Sequence, residues 1–309
     1  MDGLAEHLHD AYDVTVIGLA QLALGVHRVR LEGGDDWVAR VFPAHRAIAS
    51  AQHDATVLRR LETAGFPAER LAAEQEPVTV FDDRPVLVTR FIHGEHPRGG
   101  RAWAILGALL GAMHSVAADW ASPAGAWHHL ADGTPRDEIA AATTLLERIR
   151  ADVPARQRTD IETLLHELQG LDDGDDLRHA LVHPDFVPVN AIDDDNADED
   201  QPGRGVVVID WTGAGRGPRI WSLAFTLWAG GARDLKVVDL IVSRYRRRIT
   251  PEPEELERLA AVIRGRPLLL DCWRVAHQGY PASKVVAYLP ELHRLSELIA
   301  ERARRAFTH

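Results

Sequence analysis

The sequence predicts an α+β fold in two parts, a small β-rich N-terminal lobe with one main helix (residues 1–92) and a larger, mostly helical C-terminal lobe (residues 93–309). Three observations carry this. Short runs rich in valine and isoleucine crowd the N-terminal part. Beyond Gly94, apolar residues recur at three- and four-residue spacing, the period of an amphipathic helix. A single β-rich interruption, Ala180 to His183 and Gly205 to Asp210, sits inside that helical part.

In chain order, Asp13 to Leu19, Val26 to Glu32 and Asp36 to Phe42 read as strands, parted by turn material at Gly25 and at Glu32 to Asp35. A helix is predicted from near His45. Ile48, Ala51, Ala55, Leu58 and Leu61 share its apolar face, and Gly65-Phe66-Pro67 ends it. Pro77 to Phe81 and Pro85 to Phe91 are expected to pair about a turn at Asp82-Asp83-Arg84. Leu106, Leu109, Leu110 and Met113 mark the first helix of the second part. Further helices are predicted at 135–151, 155–170, 217–231, 234–248, 252–264 and 285–307.

Composition narrows the function. The chain has 46% hydrophobic and 26% charged residues, ordinary for a globular protein, and a net charge of −11. An excess of acid argues against a nucleic-acid backbone as partner. No apolar run approaches the roughly 20 residues that span a bilayer, so no membrane partner is expected. The N-terminal residues lack a basic-then-apolar signal, and Cys272 is the single cysteine, so a reducing cytoplasm is the expected setting. The acidic run 193–200 reads as a solvated loop. It has carboxylates, but not the turn glycine and distal glutamate of a calcium loop.

Two motifs carry chemistry. His183-Pro184-Asp185-Phe186-Val187-Pro188-Val189-Asn190 contains H-x-D-x-x-x-x-N, and Val206-Val207-Val208-Ile209-Asp210-Trp211 is an apolar strand delivering an aspartate at its end. Phosphoryl transfer from a nucleotide needs a carboxylate facing the acceptor hydroxyl. It also needs an amide oxygen and a second carboxylate to hold the magnesium that bridges the phosphates. The spacing from Asp185 to Asn190 lets one loop present both a base and a metal ligand.

At these residues the chain resembles the aminoglycoside phosphotransferase family, a branch of the protein-kinase-like superfamily. HPDFVPVN is similar to that family's H-G-D-x-x-x-x-N loop, and VVVIDWTGAGRGPRIWSLA to its I-D-W-E-x-A-G-x-G-P-x-x-x-D-L-A segment. The resemblance runs from the first strand to about residue 231. It implies a protein-kinase-like two-lobed fold and transfer of the γ-phosphate of ATP or GTP, with Mg2+, to a hydroxyl of a small acceptor. Asp185 would be the base, Asn190 and Asp210 the magnesium ligands, and His183 a brace for the catalytic loop. The acceptor would be an aminoglycoside-like or other antibiotic. A small metabolite (amino sugar, choline-like amine or hydroxy amino acid) is the alternative, and a nucleotide-binding regulator without catalysis a third reading.

The same resemblance implies a cationic clamp on the third strand. No lysine precedes Lys236, and the matching residue is Arg40, with Asp54 expected as its partner from the helix. The loop Ala20 to Val26, with Gly25, would cover the phosphates. Leu87 to Gly94 is similar to the hinge whose backbone meets the base, with Thr89, Arg90 and Ile92 as its contacts. Pro184 and Ser222 depart from the family pattern. Ser222 stands where the family usually has a loop-bracing aspartate, which implies a looser site. For the acceptor, Asp271, Trp273, Tyr280 and Glu291 offer the carboxylates and aromatic rings that suit an amine.

Overall fold

A computed structural model describes residues 2–73, 75–194 and 205–308. Most of the acidic run at 193–200 lies outside the described residues. The chain divides into two compact units, Met1–Pro97 with Val189–Thr212, and Arg98–Pro188 with Gly213–His309.

The first unit opens on α1 (Asp2–Tyr12) and holds an antiparallel sheet of β1 (Val16–Ala23), β2 (Val26–Leu31), β3 (Trp37–Val41), β4 (Val78–Phe81) and β5 (Arg84–Arg90), in the order β1-β2-β3-β5-β4. The predicted order of strand, strand, strand, helix, strand, strand is observed, with α2 (Ile48–Thr63) as the helix. Side chains alternate across a strand. In β3, Ala39 and Val41 therefore face a core with Leu4, Leu8, Val29, Val86 and Val88, which leaves Val38 and Arg40 on the opposite face. Helix α1, absent from the sequence reading, covers that core with Leu4 and Leu8 at helical spacing.

A second sheet in this unit joins β6 (Gly94–Glu95), β8 (Ala191–Asp194) and β9 (Val206–Val208), with β8 in the middle. β7 belongs to the other unit. After α2 the chain runs as an extended strap between β9 and β5. Ala68 bridges Val208 in parallel, Leu71 bridges Thr89 in antiparallel, and Arg90 N–H donates to Arg70 O at 2.8 Å.

The second unit packs α3 (Gly99–Met113), α4 (Pro135–Asp152), α5 (Ala155–Gln169), α6 (Arg219–Gly231), α7 (Lys236–Tyr245), α8 (Pro253–Gln278) and α9 (Ala282–Thr308) around a short ribbon of β7 (His179–Val182) and β10 (Gly215–Pro218). Thr134 and Asp137 form a capping box at the start of α4, with Pro135 in the first turn. Helices α3 and α7 approach closely at Gly107, where a Cβ would collide with the Ile241 carbonyl. Helix α8 corrects the expectation that it ends at 264. It continues through Pro267 and stops at Gly279, which adopts φ 62°. Gly265 and Pro267 look like breakers in sequence, but Gly265 lies beneath the Trp221 ring. There an added Cβ would come within 2.7 Å of the ring. The adjacent Arg266 is buried and paired with Glu138 at 2.8 Å.

Candidate active site

In the first unit, the end of β9 delivers Asp210 in a left-handed conformation, φ 63°. A residue other than glycine costs about 1–2 kcal/mol there, and such geometry gathers at functional sites. Arg40 Nη1 donates to Asp210 Oδ1 at 2.5 Å. Ile209 N–H donates to Asn190 O at 2.9 Å, which ties the Asn190 backbone to the segment bearing Asp210. Arg40, Asn190 and Asp210 thus share the wall of one cavity of about 470 Å³, whose apolar sides include Val26, Val38, Ile192 and Ile209. That size and mixture suit a small-molecule site.

Burial opposes the charge on Arg40, but Asp210, Glu69 and Asp54 outweigh it and raise its pKa, so the guanidinium stays charged. The expected Arg40–Asp54 pair is not what the side chains form. Asp54 accepts from Arg46 Nη2 at 2.8 Å, and both residues are buried. The physical reason is local. Arg46 N–H closes a turn onto Pro43 O, and the Arg46 guanidinium lies over the Phe42 ring, 4.8 Å from its centre. This turns Arg46 into the buried face of α2, while Asp210 takes Arg40.

The other predicted nucleotide residues divide between this cavity and its surroundings. Arg90 and Ile92 line the cavity. Thr89 is buried, and its hydroxyl donates to Glu69 Oε2 at 3.0 Å. Gly25 is the second residue of the tight Leu24-Gly25 turn of the β1–β2 hairpin. Its φ of 71° and the Val41 carbonyl, 2.6 Å from where a Cβ would sit, both require glycine. Glu69, on the strap, is a cavity residue that sequence reasoning missed.

In the second unit, the loop after β7 presents Asp185. His183, Pro184 and Phe186 are buried around it, while Asp185 itself is partly exposed. Asp185 N–H donates to His183 Nδ1 at 3.0 Å, so that ring carries its proton on Nε2 when neutral. Ser222 sits against this loop. Its hydroxyl accepts from His183 N–H at 3.2 Å and donates to His183 O at 3.1 Å. One turn on, Thr226 donates to Phe186 O at 3.0 Å.

Of the acceptor residues, Trp273 joins Trp127 and His277, at ring separations of 5.4 Å and 5.3 Å. Trp127 and its neighbour His129 were not singled out from sequence, although consecutive Trp127-His128-His129 was the visible signal. Burial pushes Asp271 above the usual carboxylate pKa, with Arg274 opposing at 3.1 Å. Glu291 is held by two bonds from Arg294 at 2.7 Å and 2.6 Å. Tyr280 is exposed, with Lys284 over its ring.

Among the described residues no group of three or more His, Cys, Asp or Glu is placed to hold a metal ion. The donor set of Asn190 and Asp210 nevertheless suits magnesium. That ion prefers oxygen ligands and is bound by one or two carboxylates together with substrate phosphates.

A sequence model described as the phosphotransferase enzyme family matches residues 18–261. No curated protein matches the sequence. Among solved structures, the chain is similar to a microcompartment-associated aminopropanol kinase, with 19% identity, 98% of this chain and 99% of that one covered, and a TM-score of 0.64. It is also similar to an aminoglycoside phosphotransferase from Alicyclobacillus acidocaldarius, with 16% identity, coverage of 98% and 94%, and a TM-score of 0.60. A third is choline kinase LicA from Streptococcus pneumoniae, with 14% identity, coverage of 98% and 95%, and a TM-score of 0.55. At such identities the likeness bears on the fold, which is kinase-like.

Proposed function

Since the chain belongs to the phosphotransferase enzyme family, and is a small-molecule kinase with a hydroxyl acceptor, we propose that it moves the γ-phosphate of ATP, or of GTP, to an aminoglycoside-like or other antibiotic. The observation that supports this most directly is the first unit's cavity, whose wall includes Arg40, Asn190 and Asp210, with Arg40 bonded to Asp210. Arg40 grips phosphate oxygens. Asn190 and Asp210 would hold magnesium, which when bound would neutralise charge on the phosphates. Asp185 takes the proton of the acceptor hydroxyl as its oxygen attacks phosphorus. His183 keeps the Asp185 backbone in place through Nδ1. The apolar walls from Val26 to Ile209 take the base.

A second reading, a kinase for a small metabolite (amino sugar, choline-like amine or hydroxy amino acid), has its own support. The Trp127–Trp273–His277 group is a compact aromatic surface suited to an amine. The similar structures include an aminopropanol kinase and a choline kinase. A coupled assay of magnesium-dependent nucleotide consumption separates the two, run over aminoglycosides, macrolides, peptide antibiotics, amino sugars and amino alcohols. Turnover on antibiotics is the expected result. Turnover on metabolites alone replaces the first reading with the second. Nucleotide binding with no acceptor found leaves a non-catalytic regulator.

A further inference from the structure

The strap after α2 brings a buried carboxylate to the back of Asp210. Glu69 N–H donates to Val208 O at 2.9 Å, and the neighbouring bridges of Ala68 to Val208 and Leu71 to Thr89 fix its backbone between β9 and β5. The side chain is 6% exposed. Its Oε1 accepts the Asp210 N–H at 2.7 Å and the Trp211 N–H at 3.4 Å, while Oε2 takes the Thr89 hydroxyl at 3.0 Å.

A carboxylate is expensive to bury unless hydrogen bonds and opposite charge compensate it. Burial does push the Glu69 pKa up, and Arg40, Thr89 and the Asp210 N–H pull it back. What this carboxylate secures is a strained peptide. Asp210 is at φ 63°, and its amide and the next one both reach the same oxygen. The Trp211 side chain completes the hold from the other side, donating to Val208 O at 2.9 Å and packing edge-on to Phe66.

Resting on the reading of Asp210 as a magnesium ligand, we infer that Glu69 is a positioning residue. It latches the left-handed Asp210 backbone and so sets the direction in which the Asp210 carboxylate meets the metal-phosphate group. What the latch needs is an acceptor oxygen at that position rather than a negative charge. Glutamine supplies one, since its amide oxygen can accept both N–H groups and its NH2 can donate to Thr89. Aspartate keeps the charge but withdraws the oxygen by one methylene.

The test is calorimetric binding of a non-hydrolysable ATP analogue, with Mg2+ and with a chelator, to the wild type and to Glu69→Gln, Glu69→Asp and Glu69→Ala, with thermal unfolding alongside. The readout is the ratio of the two affinities, which a merely structural residue does not move. Glu69→Gln is expected to stay within about threefold of the wild-type ratio. Glu69→Ala and Glu69→Asp are expected to lose about tenfold or more, by the size of a lost hydrogen bond to a buried amide. Should Glu69→Ala fail to fold, Glu69→Asp decides. A wild-type ratio in Glu69→Asp or Glu69→Ala overturns the inference, as does loss in Glu69→Gln equal to that in Glu69→Asp. A wild type whose nucleotide affinity ignores Mg2+ instead overturns the reading of Asp210, and this is seen before any substitution is made.

Discussion

Arg40 on β3 and Asp210 beyond β9 meet through a 2.5 Å Nη1–Oδ1 bond, so the expected phosphate clamp and the expected metal ligand are direct partners. Removing Asp210 takes from Arg40 the largest of the opposing charges around it, with Glu69 and Asp54 remaining. Arg40→Ala is expected to lower kcat/KM for the nucleotide by about 10- to 100-fold, the size of one or two charge-assisted bonds. Arg40→Lys should fall between, because an ammonium lacks the planar fork that serves a carboxylate and a phosphate together. Steady-state kinetics with nucleotide varied checks both. A wild-type KM in Arg40→Ala places the clamp elsewhere.

Asp54 makes its direct ion pair with Arg46, and reaches Arg40 only through its charge. Its pair with Arg46 is buried, with side chains 2% and 4% exposed, and breaking such a pair by removing one partner costs about 3–5 kcal/mol. Asp54→Ala is therefore expected to lower the unfolding free energy by that order while leaving the nucleotide KM near wild type. Urea unfolding and kinetics on the same preparation separate this from a clamp role, which would show a raised KM at little loss of stability.

Asp185 stands partly exposed on a loop whose His183, Pro184 and Phe186 are buried. Its carboxylate is thus presented while its backbone is fixed. Asp185→Ala should cut the rate of transfer by about 10²–10⁴, the usual contribution of a positioned base, with nucleotide affinity retained. Single-turnover transfer and calorimetric binding give the two numbers, and undiminished transfer removes the base role.

The brace under that loop is equally specific. Ser222 Oγ bonds both backbone groups of His183, which has no exposed surface. Ser222→Ala leaves a buried N–H and a buried C=O without that partner, at about 1–3 kcal/mol. Thermal unfolding should show a fall in Tm, with kcat reduced more than the nucleotide KM. Equal Tm values would mean that Thr226 and Phe186 hold the loop without Ser222.

Much of this was legible in sequence, for identifiable reasons. The family resemblance pointed to Arg40 on the third strand, and the two motifs pointed to Asp185, Asn190 and Asp210 on loops beside strands. What could not be read depends on neighbours distant in sequence. Glu69 lies in a strap without a repeat pattern, and its role comes from Val208, Asp210 and Thr89. Ser222 looked like a lost aspartate because only the fold shows its hydroxyl spanning the His183 backbone. Helix α8 passes Gly265 and Pro267 because Trp221 and Glu138 pack there, overriding local breaking propensity. Helix α1 offers only Leu4 and Leu8 as an apolar face across eleven residues, too short a pattern to mark a helix without the core it covers.

Stability against pH should turn on His114, which closes α3. It is buried, and its Nδ1 shares a hydrogen bond with the Tyr245 hydroxyl at 2.9 Å. Burial, with a smaller push from Arg219, drives its pKa down from 6.5 to about 3, so the folded protein keeps it neutral. Above pH 6.5 the ring is neutral in folded and unfolded chains alike, and its contribution is complete. As pH falls from about 6.5 towards 3, the unfolded chain takes up a proton that the folded one refuses. Stability then declines by up to about 1.4 kcal/mol per pH unit. His114→Gln keeps an acceptor for Tyr245 and does not titrate. Urea unfolding at steps from about pH 7.5 to about pH 4.5 should therefore give a shallower acid slope in that variant, by about that amount. Parallel slopes for the two proteins would show that other groups govern the acid loss of stability.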